Sequence, residues 1–182
     1  MDRVISGERV VLRPVAPRDL PAIRRLGRTP TSIDGFPQPG DPADQPDRWL
    51  RAASVRGAEV FAIDFAGEAL GVVTVEREGG SIVRVGYHAE EDRQGRGLTA
   101  EALGLVVTWL FRETAVHRVE LGVTIANVAL WRAAQRAGFV LEGVARARCR
   151  WAGVWHDVRN YALLRDEWEE VHGSRSSDSF AA

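Results

Sequence analysis

The succession of patterns between Ser81 and Ile125 constrains this chain more than any other feature. "SIVRVGYHA" reads as a strand, and "EEDRQGRG" is polar and holds two glycines. Leu98, Ala102, Leu105, Val106, Trp109 and Leu110 then recur at helical spacing, and "HRVELGVTI" reads as a strand again. A helix that joins two strands of one sheet returns the chain to its starting end, so the two strands pair in parallel. Upstream, "EVFAIDF", "ALGVVTVERE" and "SIVRVGYHA" are separated only by "AGE" and "GG", which are short enough for antiparallel hairpins. Parallel and antiparallel neighbours together predict a single mixed α/β sheet.

The remaining elements fit around that sheet. "ERVVLRPV" opens it and "APRDLPAIRRLG" is a short helix stopping at Gly27. "NVALWRAAQRAG" is a helix capped by Asn127 and ended at Gly138, and "FVLEGVARARCRW" and "WHDVRNYALL" close the sheet. The expectation is about seven strands and about four helices. Five of the eight prolines fall in "RTPTSIDGFPQPGDPADQP", an irregular loop expected before a helix near Asp47 to Val55 and bordering the substrate. One domain is expected over 1–171, followed by a disordered polar tail over 172–182.

Composition removes several function classes. No apolar run is long enough to span a bilayer, and the opening residues lack the succession of a secretory signal, so a cytoplasmic home is expected. A lone cysteine, Cys149, makes neither an internal disulfide nor a cysteine-based zinc site. It reads as a small buried side chain. The net charge of −1 argues against a nucleic-acid backbone as the main partner. All 24 basic residues are arginine, so no side-chain amine of this protein competes for an acyl group.

Gly95, Arg96 and Gly97 sit where the long helix begins. A helix start carries unpaired N–H groups and the positive end of a dipole, and glycines there let a phosphate approach the backbone. The same letters satisfy a Gly-x-Gly-x-x-Ala dinucleotide fingerprint, but that pattern demands a turn directly off a buried strand, whereas "HAEEDRQ" separates Tyr87 from Gly95.

"VGYHAEEDRQGRGLTAEAL" resembles the acyl-CoA motif of the GCN5-related N-acetyltransferases, with Gln94, Gly97 and Thr99 at its key places. "NVALWRAAQRAGFVLEGVARARCRWAGVWHDVRNYALLRDEW" is similar to the closing half of the branch that acetylates N-termini of ribosomal proteins, through Asn127, Gly138-Phe139, Glu142-Gly143, Arg146, Gly153, Asp157, Tyr161, Leu163 and Glu167-Trp168. With "RVVLRPVAPRDL", the match runs from about residue 8 to 168.

The resemblance implies a sheet splayed between its fourth and fifth strands, with acetyl-CoA in the gap. The pantetheine arm is then expected against Tyr87, His88 and Ala89. The diphosphate falls on the turn of Gln94, Gly95, Arg96, Gly97, Leu98 and Thr99, and Asn127 is expected to contact the amide arm or hold the split open. The implied reaction is acetyl transfer to a protein, peptide or small-molecule amine in a ternary complex, by a monomer or homodimer.

Acyl transfer needs a neutral amine, a polarised carbonyl and a proton for the leaving thiolate. The family's usual donor positions fall on Leu130 and Ala134, which carry no proton to give. A water or another hydroxyl, that of Thr124 or Tyr161, is the candidate replacement, and His88 is the candidate base. Trp49, Arg146, Arg148 and Asp157 are candidate acceptor contacts; Asp157 either orients the amine or fixes a turn. Arg146, Arg148 and Arg150 alternate, so a regular strand puts all three on one face. Two alternatives stay open: a coenzyme-binding module without turnover, suggested by Leu130 and Ala134, and a transferase using an aminoacyl-tRNA donor docked on the arginine row.

Overall fold

The computed structural model describes residues 3–26, 57–89, 97–151 and 153–173. Trp49, Gln94, Gly95, Arg96, the proline-rich loop and the helix expected near Asp47 to Val55 lie outside the described residues, as do 174–182.

The hairpins form as their short linkers require. Strands β1 (Ile5–Ser6), β2 (Val10–Pro14), β3 (Glu59–Phe65), β4 (Glu68–Arg77) and β5 (Ile82–Ala89) pair antiparallel in sequence order. Helix α1 (Leu20–Leu26) follows β2 after one 3-10 turn. Helix α2 (Leu98–Glu113) crosses over to β6 (Arg118–Thr124), which pairs parallel with β5. Helix α3 (Val128–Arg136), β7 (Val140–Trp151), β8 (Val154–Leu164) and α4 (Arg165–His172) follow, and among the described residues eight strands run in the order β1-β2-β3-β4-β5-β6-β8-β7.

The eighth strand is the short β1, so the expected splay between the fourth and fifth strands falls between β5 and β6. The unforeseen helix is α4, which includes His172 of the expected tail. Its Nδ1 lies 2.9 Å from the Trp168 carbonyl oxygen, and its ring stacks on Trp168 with centroids 4.6 Å apart.

The sheet separates two apolar layers of unequal size. Val83, Val85, Tyr87 and Ala89 of β5, Val119, Leu121 and Val123 of β6, and Tyr161 and Leu163 of β8 join the main core with α2, α3 and α4. On the opposite face, Val72 packs with Ile23 and Leu26 of α1. Helix α2 buries more than the expected stripe: Leu103, Val107 and Phe111 are buried besides Ala102, Val106, Trp109 and Leu110. A fully buried Leu such as Leu110 contributes about 2 kcal/mol by transfer alone.

Polar side chains lock the first strands to this scaffold. Glu101, in the first turn of α2, accepts from the Arg9 and Val10 amides at 2.7 and 3.0 Å and pairs with the Arg9 guanidinium at 2.9 Å. Burial pushes its carboxyl upward, but these donors leave it below the usual carboxylate range. Gly7 makes room, since a β-carbon there would meet Glu101 Oε1 at 2.8 Å. Below α1, Arg13 donates two bonds to Asp19, at 2.7 and 2.9 Å, and one to Asp64 at 2.7 Å. The Arg13 guanidinium thereby holds the Asp19 carboxyl below its ordinary range.

Candidate functional site

The parallel ladder between β5 and β6 is short. It runs from Ile82↔Arg118 to Val85↔Leu121 and stops, although β5 continues to Ala89 and β6 to Thr124. Residues 86–89 pair on their other side with β4, and 122–124 with β8. The two strands therefore part after Val85 and Leu121, and backbone polar groups along the parted ends face a gap instead of each other. Gly71 fixes the far rim, because a β-carbon there would lie 2.3 Å from the His88 carbonyl oxygen and 2.6 Å from Ala89 Cα. Sequence reasoning passed over Gly71, since the close approach that requires it is made by a different strand.

Tyr87 and Ala89 point into the helical core, whereas His88 lies on the α1 side with Val72 and Thr74. His88 is buried, and burial pushes its imidazolium down to about 3. The ring is therefore neutral near pH 7 and a weak base. Gly86 exists to accommodate this face: a β-carbon there would meet Thr74 Oγ1 at 2.3 Å and His88 Nε2 at 3.3 Å.

On the helical side, Gly97 caps α2 in the left-handed region, at φ 73° and ψ 18°. The space where its β-carbon would stand holds no described atom within 4 Å. Leu98 and Thr99 follow as buried first-turn residues, and the first-turn amides of a helix have no intrahelical acceptor. Their aligned dipoles make this end positive, and the carboxylate of Glu101 is already engaged by Arg9. Glycine and helix start suit a diphosphate chemically. Asn127 caps α3, its Oδ1 accepting from the Leu130 amide at 3.0 Å. Leu130 and Ala134 are buried in the apolar cluster, so neither position carries polar chemistry.

On the α1 side a cavity of about 330 Å³ lies over the sheet, reaching Gly86, His88, Gly122 and Asn160 where the strands part. Its outer wall is charged. Arg118 donates to Glu120 at 2.7 Å and forms a two-pronged pair with Glu142 across β8, one arm at 2.8 Å. Glu120 also stands 3.8 Å from Arg84. The Arg118 guanidinium holds the Glu142 carboxyl below its ordinary range. Sequence reasoning tied Glu142 to the family motif and gave Arg118 and Glu120 no role at this site, because their meeting depends on strand order.

The arginine row is not realised as a regular strand. Between Ala145↔Val158 and Cys149↔His156 the β7 ladder shifts register, and Ala147 sits at φ 47°. This bulge interrupts the alternation. Arg148 lines the cavity, Arg146 is exposed, and Arg150 stands 5.9 Å from the Trp155 ring. Asp157 secures the bulge by accepting from the Ala147 amide at 2.8 Å, which is the turn-fixing role.

This fold and this gap define an acyltransferase scaffold. The family described as "Acetyltransferase (GNAT) domain" matches residues 9–140, and the chain belongs to that family, whose acyl donor is acetyl-CoA. "Probable N-acetyltransferase YjcK" of Bacillus subtilis (strain 168) is 37% identical over 86 residues, covering 47% of this chain and 48% of the relative, so the chain spans about half the length of that protein. YdaF of the same organism, which carries the provisional name of a ribosomal N-acetyltransferase, is 25% identical over 89% of this chain and 94% of its own length.

Solved structures share the fold. A RimL L7/L12 α-N-protein acetyltransferase in complex with coenzyme A superposes with a TM-score of 0.72 at 22% identity, covering 91% of this chain and 99% of that one. The ribosomal-protein-S5-alanine acetyltransferase from Vibrio fischeri gives 0.69 at 20%, covering 92% and 99%.

Proposed function

We propose that this protein transfers the acetyl group of acetyl-CoA to a primary amine, by direct attack while both substrates are bound. The observation that carries this reading is the two-sided gap between β5 and β6. On its helical side lies the positive, glycine-capped start of α2, and on its other side the charged cavity. Donor and acceptor can thus approach one carbonyl from opposite faces, which removes the entropic cost of their meeting.

In this reading the backbone of Tyr87, His88 and Ala89 takes the pantetheine arm, and its amides polarise the thioester carbonyl. The turn of Gln94 to Thr99 takes the diphosphate. Asn127 fixes the start of α3 beside the coenzyme. His88, neutral and reluctant to accept a proton, orients the amine, and the ammonium proton leaves through the glutamate-lined cavity. Arg148 and Trp49 contact the acceptor, Arg146 meets its more distant parts, and Asp157 holds the strand that carries them.

The acceptor we favour is the α-amine of a protein or peptide, with small amines second. The names of YdaF, RimL and the Vibrio fischeri enzyme all point to ribosomal proteins. The buried Leu130 and Ala134 favour the second reading, a module that binds coenzyme without turnover.

Incubation with acetyl-CoA and a pool of free-N-terminus peptides, N-terminally blocked lysine peptides and small amines separates these readings. Free thiol release and product mass are followed. The proposal expects acetylation at α-amines. Thiol release with small amines alone would reassign the acceptor, and tight coenzyme binding without any release would establish the module.

A further inference from the structure

We infer that the acceptor carries a carboxylate close to its reacting amine, and that Arg148, turned into the cavity by the bulge of β7, is the residue that recognises it. The inference rests on the reading of the cavity as the acceptor side of the gap, and it names the acceptor's class.

The bulge brings Arg148 to the cavity. Between Ala145↔Val158 and Cys149↔His156, the residues Arg146, Ala147 and Arg148 of β7 stand against Asp157 alone on β8. Ala147 takes φ 47°, a left-handed value that a residue with a β-carbon adopts at a cost. Asp157 offsets that cost by accepting from the Ala147 amide at 2.8 Å. In an unbroken strand Arg148 would share a face with Arg146 and Arg150. Instead it leaves them and lines the cavity. Bulges beside active sites re-aim side chains in this way.

The charges of the cavity are sorted along the gap. Arg84 and Glu120 pair in the β5–β6 ladder, at the closed end, and Glu76 stands opposite Arg84 on β4. Arg84 also meets Glu78 at 2.8 Å, and Arg118 is held by Glu120 and by both oxygens of Glu142. An anion that approached either guanidinium would be repelled by these carboxylates. Arg148 stands toward the open end, level with Asp157 and past the last β6–β8 pair, Thr124↔Val158. It is exposed, so an entering molecule reaches it. Its guanidinium has five N–H donors in a planar fork, enough to take a carboxylate in addition to any neighbour it already holds.

This polarity matches one kind of acceptor. Its amine lies where the strands part, beside Gly122 and Asn160, and its carboxylate points outward to Arg148. From Asn160 to Asp157 is roughly 10 Å of strand, and an extended peptide advances about 3.5 Å per residue. A cavity of about 330 Å³ is small for a ligand site and suits the first residues of a peptide. Aspartate or glutamate at the second position of a peptide supplies the carboxylate, and a free amino acid supplies the same pair of groups by itself.

The test uses three peptides with free N-termini that differ only at the second residue, Asp, Asn or Lys, together with alanine and alaninamide. With acetyl-CoA, kcat/KM of the wild type should be about tenfold higher for Asp than for Asn, and about 100-fold higher than for Lys. Arg148→Met should level the three, Arg148→Lys should restore part of the order, and Arg148→Glu should reverse it. A loss of fold or of general activity cannot produce a reversal. A preference for alanine over alaninamide that Arg148→Met abolishes would support the inference with a free amino acid as the source of the carboxylate. Calorimetric titration of the N-acetylated Asp and Asn peptides into the coenzyme A complex reads the same preference without turnover.

Equal values for Asp and Asn and for alanine and alaninamide, or a preference that survives Arg148→Met, would overturn the inference and leave acetyl transfer standing. Weakened coenzyme A binding in Arg148→Met, with the acceptor order unchanged, would move the guanidinium to the coenzyme and overturn it as well. Preferential binding of the Asp peptide without any acetylation would support the inference and overturn the transfer reading.

Discussion

Replacing Gly97 by glutamate separates the two contributions of the helix start, shape and charge. At φ 73° the backbone is left-handed, so any β-carbon adds about 1 kcal/mol of strain to the folded state. The added atom meets no described atom within 4 Å, so among the described residues packing adds nothing to that cost. The melting temperature should therefore fall by only about 2–4 °C.

Coenzyme binding suffers more. A carboxylate held about 5 Å from one phosphate charge costs about 3 kcal/mol at an effective dielectric constant near 20, and a second phosphate increases it. That corresponds to a dissociation constant raised on the order of 100-fold. Gly97→Gln carries the same strain and similar bulk without the charge. Calorimetric titration of both variants with coenzyme A, at low and high salt, isolates the electrostatic part. Gly97→Glu should bind far more weakly than Gly97→Gln, with the difference shrinking as salt rises. A folded Gly97→Glu that binds coenzyme A within threefold of wild type would refute the placement of the diphosphate.

Two further perturbations test the gap itself. His88 has a folded-state pKa of about 3, against 6.5 when exposed, so the unfolded chain takes up a proton that the folded one refuses. Stability should consequently decline as the pH drops below about 6.5, losing about 2 kcal/mol between pH 7 and 5 from this residue alone. Denaturant titrations of wild type and His88→Asn at both pH values should show the variant nearly flat over that interval, and parallel losses would contradict the burial argument. Gly71→Ala should raise KM for acetyl-CoA several-fold and cost about 1–3 kcal/mol, because its methyl would overlap the His88 carbonyl and Ala89. Unchanged KM and melting temperature together would show that the rim of the gap tolerates displacement.

The parts of the fold carried by local pattern were readable from sequence. The glycine linkers forced the hairpins, the helical spacing after Gly97 forced the parallel crossover, and Asn127 and Gly138 bounded α3 as expected. The parts carried by distant contacts were not. Helix α4 hides in a charged segment in which Trp168 supplies the buried anchor. The bulge at Ala147 breaks an alternation that looked regular, because Asp157 on the neighbouring strand captures an amide. Gly71 and Gly86 matter through β-carbons that would strike the facing strand. Likewise, Arg118 and Glu142 face each other across β8 although far apart in sequence. Of the candidate site, the glycine-capped helix start was legible, and the opposite face of the gap emerged only from strand order.

Hydrogen exchange with and without acetyl-CoA tests most directly the claim that the parted strands and the start of α2 together hold the coenzyme. Backbone amides of Tyr87 to Ala89 and of Gly97 to Thr99 should gain protection together at saturating acetyl-CoA, while those of α1 and the β7–β8 turn stay unchanged. Protection confined to other segments, or none at concentrations that saturate binding, would contradict the account.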